Sequence, residues 1–369
     1  MEEMKEPLRV AHIMGKMMSG GVESVVMNYY RHIDRTKVQF DFIIDEDSSV
    51  VPYEEIESLG GKIYKIPPYQ KLGAYHKVLV RLFRKNHYRI VHSHINTLSV
   101  FPPFAAKRAG VPVRIAHSHS TAGKGETSRN ALKYVLRPFS KLFPTHFCAC
   151  SEYAGRWLFG DKLYDSGRVM LMRNAIDTSK FIFDPKIREM VRKELEIEDK
   201  LIIGYVGRFM KQKNHSFLID IFEQVHIRNP DSVLVLVGEG ELEQEIQDKV
   251  NQLGLYSAVK FLGIRSDVYK LLQAMDVFLL SSLYEGLPVV GVEAQASGLK
   301  MIASDTVTKE AKFTEVFTFI SLKQSVAVWA ENVLSLPSGN RKTVIEQVVD
   351  AGFEIKAAAD GLCKEYLSF

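Results

Sequence analysis

The chain has 369 residues, 46% of them hydrophobic and 25% charged, a length that calls for two domains of about 150 to 200 residues and a make-up that excludes a disordered or fibrous protein. No apolar run is long enough to span a bilayer, and the acidic start Met1-Glu2-Glu3 lacks the basic and apolar regions of a signal peptide, so a cytoplasmic protein is expected. The net charge of +4 divides unevenly, since residues 1–178 carry 26 Lys+Arg against 17 Asp+Glu and the remainder 22 against 27; a basic first half suits an anionic partner, and no zinc-finger spacing or RNP-like motif supports nucleic acid.

Residues 8–14 form an apolar run that ends in Gly15 and leads through Ser19-Gly20-Gly21-Val22-Glu23-Ser24 into a helical segment, 25–32. Paired glycines between a strand and a helix let an anion approach backbone amides, although a plain strand-to-helix turn has the same pattern. Residues 38–44 read as a second strand, ending in Asp45-Glu46-Asp47. That D-x-D triplet has the composition of a metal-nucleotide site, but Ser48, Ser49 and Pro52 beside it favour a solvated acidic loop.

Strand and helix signals then alternate at 62–66, 77–85, 89–92, 101–109 and 113–117, which argues for a parallel, doubly wound sheet. Residues 71–89 hold six Lys/Arg and no acid, interleaved with Val78, Leu79, Val80, Leu82 and Phe83; Arg129, Lys133, Arg137 and Lys141 recur at every fourth position, with Pro138 bending or restarting their helix. Such faces are usually just solvated, yet two basic amphipathic stretches in one half predict contact with an anionic membrane surface. His92, His94, His117 and His119 fall at strand ends. Loops at the carboxyl ends of parallel strands form the ligand crevice of α/β folds, which places Ser118-His119-Ser120-Thr121 well. No carboxylate accompanies these histidines at ligand spacing, so no metal site is expected. Cys148 and Cys150, on a strand at 145–150, and Cys363 make no C-x-x-C pair or disulfide framework and read as buried thiols.

The second half restarts with a strand at 201–206, followed by Gly207-Arg208-Phe209-Met210-Lys211-Gln212-Lys213-Asn214. Arg208 and Lys213 are two cations that could neutralise a diphosphate, where the plain alternative is surface charge after a strand. A strand at 233–237 ends in Gly238-Glu239-Gly240, a weak nucleotide signal by itself, and Lys260-Phe261-Leu262-Gly263 is a further strand end. The buried run 277–280 leads into Ser282-Leu283-Tyr284-Glu285-Gly286-Leu287-Pro288-Val289 and a helix that Gly298 closes, with Pro288 in its first turn. Backbone N–H groups around 286–289 then point off the helix start, and Glu285 and Glu293 stand about 12 Å apart if the interval is helical. Strands at 300–303 and 317–320 and a last helix at 354–366 complete the chain.

A carboxylate on each side of the Gly286-Leu287-Pro288-Val289 turn, directly after a buried strand, resembles the E-x7-E signature of retaining glycosyltransferase family 4. Gly207-Arg208 with Lys213 is similar to that family's diphosphate clamp, Gly20-Gly21-Val22-Glu23 to its first glycine loop, and Arg173-Asn174-Ala175-Ile176-Asp177 to its domain-crossing segment, with Ala175 where glycine is usual. The resemblance covers nearly the whole chain and implies an α/β protein of GT-B fold, two Rossmann-like doubly wound domains facing across a cleft. Their expected extents are 1–176 on the acceptor side and 177–353 on the nucleotide-sugar side, with 354–369 packing back on the first.

The implied activity is transfer of a hexosyl or N-acetylhexosaminyl group from a nucleotide-diphosphate sugar, taken as a UDP-sugar, to a glycan or lipid-linked acceptor in capsule or exopolysaccharide synthesis. Retention, no cofactor, no metal and a place at the inner membrane face come with it. Carried over residue by residue, Arg208 and Lys213 stabilise the leaving diphosphate, Glu285 orients the donor sugar, Glu293 holds the ribose and His119, or His117 beside it, faces the sugar. Gly20, Gly21, Gly263, Gly286, Leu287, Pro288 and Val289 line the donor. Two other readings stay open, a sugar-nucleotide 2-epimerase of the same fold and a non-catalytic sugar-nucleotide or anionic-lipid binding protein.

Overall fold

The computed structural model describes residues 6–18, 20–119, 127–336, 341 and 343–369, with 127–130 by backbone alone. Ser19, Ser120, Thr121 and the side chain of Arg129, singled out above, lie outside the described residues. The chain forms two compact units, Met1–Ile176 with Glu354–Phe369, and Asp177–Phe353.

In the first unit seven strands form one sheet: β1 (Leu8–Gly15), β2 (Val38–Asp45), β3 (Lys62–Ile66), β4 (Ile90–Ser93), β5 (Val113–Ser118), β6 (His146–Ala149) and β7 (Val169–Leu171). All pair in parallel in the order β3-β2-β1-β4-β5-β6-β7. Strands covered on both faces need apolar side chains throughout, and every residue of β2 is buried, as are Val10, Ala11 and Ile13 of β1. The last helix, Ile355–Ser368, starts at Glu354, whose carboxylate accepts from the N–H groups of Lys356 and Ala357. Its chain enters beside the domain-crossing segment, where the Ile355 N–H donates to the Ile176 carbonyl. Ala175 is buried without a positive φ, and its carbonyl accepts from the Asn28 amide. Alanine therefore fits that turn without strain.

The second unit repeats the plan with β8 (Leu201–Val206), β9 (Ser232–Val237), β10 (Val259–Phe261), β11 (Val277–Leu280), β12 (Lys300–Ser304) and β13 (Phe317–Ile320), again all parallel, ordered β10-β9-β8-β11-β12-β13. In each sheet the winding direction reverses once, at β1/β4 and at β8/β11. Such reversals splay the loops at the carboxyl edge and open a crevice there.

Two local expectations change, and the cysteines are buried thiols as expected, on a strand one residue shorter at each end. Strand β2 runs on to Asp45, which is buried, and its carboxyl is pushed up to about 6 by burial and then by Asp47. Glu46 and Asp47 are exposed and pair with Lys71 and Lys16. The D-x-D triplet is therefore one buried acid and two surface ion pairs, not a uniformly solvated loop. The helix Leu72–Lys85 turns Tyr75, Leu79 and Phe83 into the core, so most of its apolar stripe is packed away and the surface carries the basic face with Leu72 at the helix start. Cys148 lies on β6 and Cys150 just beyond it; both are buried free thiols, as is Cys363.

Candidate functional site

The loops leaving the carboxyl edge of the second sheet are tied to one another through backbone. Gly207 donates its N–H to Val237, Phe209 to Glu239, Leu242 to Phe209, and Gly238 to Gly263. These bonds require close approach: a Cβ on Gly238 would lie 2.3 Å from the Gly207 carbonyl oxygen, and one on Gly240 2.4 Å from that of Phe209. Gly238-Glu239-Gly240 thus serves first as a seat for the Gly207-Arg208-Phe209 loop. Arg208 projects from that seat, exposed and without a partner among the described residues.

Lys213 ends a 3-10 turn, Lys211–Lys213, and Asn214 follows with φ 55°, held by its side-chain amide on the Ser281 carbonyl. That bend points the Lys213 ammonium at Glu285, with which it forms a partly buried ion pair, side-chain exposures 17% and 8%. Gln212 Nε2 and Ser282 Oγ donate to the same carboxylate at 3.2 and 2.9 Å, and Gln212 also holds the Tyr284 carbonyl at 2.9 Å. Glu285 is further fixed through its backbone, which bridges to Val307 and accepts from Thr308. The two cations expected of the clamp are therefore in different states, Arg208 unpaired and Lys213 already neutralised.

Beyond Glu285, Gly286 and Leu287 lead to Pro288, which caps the helix Val289–Ala296 from outside its first turn. Gly298, at φ 62°, ends that helix in a left-handed turn. The Gly291 and Val292 N–H groups return to the Pro288 carbonyl, leaving the start of the helix around Val289 open to an acceptor. Glu293 is partly buried on this helix, and its carboxylate has no hydrogen bond or ion pair among the described residues. Removal from water pushes its carboxyl up to about 7. A desolvated carboxylate without donors is the group that gains most from the hydroxyls of a bound sugar.

In the first unit, Gly20 precedes the helix Gly21–His32 with an ordinary extended backbone. Its lack of a Cβ makes room for Glu23, whose carboxylate would lie 2.6 Å from such an atom and accepts from the Met18 N–H. His119 follows β5, its N–H donating to Asn96 Oδ1 at 2.7 Å. His117 is fully buried whereas His119 is partly exposed, so of the two His119 is the one within reach of a ligand. Burial depresses both rings, His119 to about 3, so both are neutral at physiological pH. Groups of three ligand atoms close enough to share a metal ion, among the described residues, consist of histidines alone.

Sequence reasoning missed His12, which packs against His92 and His94. It also missed Gln212 and Ser282 as partners of Glu285. A lone histidine within the apolar β1 run was the available signal for the first; nothing in the one-dimensional pattern marks the other two.

The family model of glycosyl transferases group 1 matches residues 186–318, and that of glycosyltransferase family 4 matches residues 19–180. A Bacillus subtilis protein named glycosyltransferase EpsF is 37% identical over 97% of this chain and 96% of its own. The chain belongs to glycosyltransferase family 4. This family-4 glycosyltransferase is also 27% identical, over 83% of its length and 81% of the relative's, to an Escherichia coli enzyme named UDP-Gal:alpha-D-GlcNAc-diphosphoundecaprenol alpha-1,3-galactosyltransferase. Its fold is that of Anabaena HepE, solved in complex with UDP and glucose, with a TM-score of 0.80 at 18% identity over 98% of this chain and 100% of that one. Two parallel sheets of seven and six strands make the family-4 chain a GT-B protein.

Proposed function

We propose that this glycosyltransferase moves a hexosyl or N-acetylhexosaminyl group from a UDP-sugar to a lipid-linked glycan, with retention at the anomeric carbon and without a metal ion. The observation that carries the reading is the grouping at the β8/β11 reversal of one unpaired arginine, one lysine–carboxylate pair and one partnerless carboxylate, on a backbone that glycines bring close together. The Escherichia coli relative's name supplies the donor and acceptor class, and it supports retention: a UDP-hexose carries its diphosphate in the alpha configuration, and that relative's product is alpha-linked.

In this mechanism the C1–O bond to the diphosphate breaks while an acceptor oxygen bonds to C1 on the same face. The acceptor proton passes to the departing phosphate oxygen. Arg208 and the helix-start amides meet the charge that develops on the diphosphate, and Lys213 turns part of its field to it from its pair with Glu285. Glu285, held by three donors, keeps lone pairs for sugar hydroxyls. A neutral His119 contributes a hydrogen bond, because a ring depressed to about 3 is a poor base.

Incubation of the purified protein with UDP-hexoses and a polyprenyl-diphosphate-linked amino sugar should give a longer lipid-linked glycan. An epimerised nucleotide sugar would show the isomerase reading instead, and no turnover with any donor would favour a binding protein. The same assay should run at full rate in EDTA. Loss of turnover in EDTA, restored by magnesium or manganese, would return attention to Asp45 and Asp47.

Attachment to an anionic membrane is part of the proposal, and exposed apolar side chains favour the second basic stretch as the contact. Over 132–142, Leu132, Tyr134, Val135, Phe139 and Leu142 are exposed among Lys133, Arg137 and Lys141, a mixture suited to a lipid headgroup boundary. No helix among the described residues is long and apolar enough to cross a membrane. Each basic residue near an anionic surface contributes about 1 kcal/mol, so charge reversal at Lys133, Arg137 and Lys141 should release the protein from sedimenting anionic vesicles. Reversal at Lys77, Arg81, Arg84 and Lys85 should reduce binding less, because Leu72 is the single large apolar side chain exposed on that helix. Unchanged sedimentation in both variants contradicts the assignment.

A further inference from the structure

Behind His119 stands a line of buried histidines that the proposed chemistry does not use. Strands β1 and β4 pair His12 with His92, and the β4 end donates the His94 N–H to the Ile13 carbonyl, which sets His12, His92 and His94 on one side of the sheet next to His117 of β5 and His119 just after it. His12, His92 and His117 are fully buried, and His94 is 2% exposed. The rings join through their nitrogens: His12 Nδ1 to His94 Nε2 at 2.9 Å, and His94 Nδ1 to His119 Nε2 at 3.0 Å. A parallel chain runs from Tyr366 of the last helix through His92 to His117.

Proton counting restricts the first chain. Each neutral ring has one N–H and one bare nitrogen, so the two ring-to-ring bonds must both point the same way. Either every ring donates towards His119, with a bare nitrogen at His12 Nε2, or every ring donates towards His12, with a proton there. His12 Nε2 is buried and has no partner. An orphaned buried N–H is rarer than an under-satisfied acceptor, which selects the first direction. His119 then accepts at Nε2 and carries its proton on Nδ1, which has no partner among the described residues.

We propose that His12 and His94 are positioning residues that fix His119 as the Nδ1–H tautomer, so that it faces the donor sugar as a hydrogen-bond donor at Nδ1. The assignment rests on the reading above that His119 touches the donor. A metal ion among these histidines is the competing use of the same atoms. It would have to break the ring-to-ring bonds and would bring two positive charges into an interior where, among the described residues, no carboxylate joins the cluster.

Long-range proton–nitrogen NMR of the full chain with 15N-histidine distinguishes protonated from bare ring nitrogens. Wild type should show His119 protonated at Nδ1 and bare at Nε2 from pH 5 to pH 8. His12→Leu removes the donor to His94 and should shift His119 towards Nε2–H, with kcat/KM for the full donor falling about tenfold, the scale of one lost hydrogen bond to a ligand, and affinity for free UDP unchanged. His12→Asn puts an amide donor where Nδ1 was and should restore both tautomer and rate. An Nε2–H His119 in wild type overturns the proposal, as does an unaltered tautomer in His12→Leu or a stoichiometric metal in the purified protein. The wild-type spectrum decides even if His12→Leu does not fold. Failure of the underlying reading has a different signature, His119→Ala with normal turnover.

Discussion

Replacing Arg208 with Ala is expected to cost about 2 to 4 kcal/mol of transition-state stabilisation, the scale of one missing oxyanion donor, which is roughly 30- to 1000-fold in turnover. Arg208 is exposed and unpaired among the described residues, so its removal strands no buried charge and the fold should be unaffected. Lys213→Ala should slow turnover comparably but also destabilise the second unit, because Glu285 would keep only Gln212 and Ser282 as partners for a buried negative charge. Breaking such a pair from one side costs on the order of 3 to 5 kcal/mol. The double variant Lys213→Ala with Glu285→Gln should recover most of the melting temperature and none of the activity. Thermal unfolding beside steady-state kinetics separates the two roles. Near-normal turnover in Arg208→Ala and Lys213→Ala would remove the diphosphate clamp from the account.

The two glutamates should fail in opposite ways. Glu293→Gln keeps the shape of the side chain but loses charge-assisted bonds, so UDP itself should bind more weakly. Glu285→Gln should lower turnover with the full donor and leave UDP affinity nearly intact, since UDP has no sugar for Glu285 to hold. Protonation adds a second signature. The Glu293 carboxyl sits at about 7 in the unliganded protein, and ribose hydroxyls need it ionised, so UDP affinity should rise between pH 6 and pH 8 with release of a proton. The slope reaches at most about tenfold per pH unit below 7 and disappears in Glu293→Gln.

Stability runs the other way. The folded-state value lies above the unfolded one of 4.5, so ionisation costs stability progressively from about pH 4.5 to pH 7 and fully above. Glu293→Gln should therefore melt higher than wild type at pH 8 and gain less at pH 5. Calorimetric titration with UDP at three pH values checks both glutamates. Loss of UDP affinity in Glu285→Gln but not in Glu293→Gln would mean that the donor lies the other way along this loop and helix.

The sheets were legible because parallel strands buried on both faces read as short apolar runs, and runs such as Val277–Leu280 and Ser232–Val237 cannot be much else in a chain that alternates with helices. Arg208, Lys213, Glu285 and Glu293 stood out because the strings that hold them resemble family-4 motifs; element order and spacing alone fit ordinary surface charge equally well. Pairing within the site was not legible. Lys213 lies 72 residues from Glu285, and only the bend at Asn214 aims one at the other. His12 lies 82 residues from His94 and was hidden in an apolar strand, where a single polar residue looks incidental. The basic stretch at 71–89 was legible only in part. Periodicity showed an amphipathic helix and could not say that its apolar stripe faces the core.

Glycosyl transfer with retention through a clamp of fixed cations sets the anomeric configuration of the first-formed product. The protein, UDP-hexose and a polyprenyl-diphosphate-linked acceptor can be followed by proton NMR in EDTA from the earliest turnover. Retention gives a new glycosidic linkage with the small alpha anomeric coupling of the donor. A beta-linked first product would contradict it.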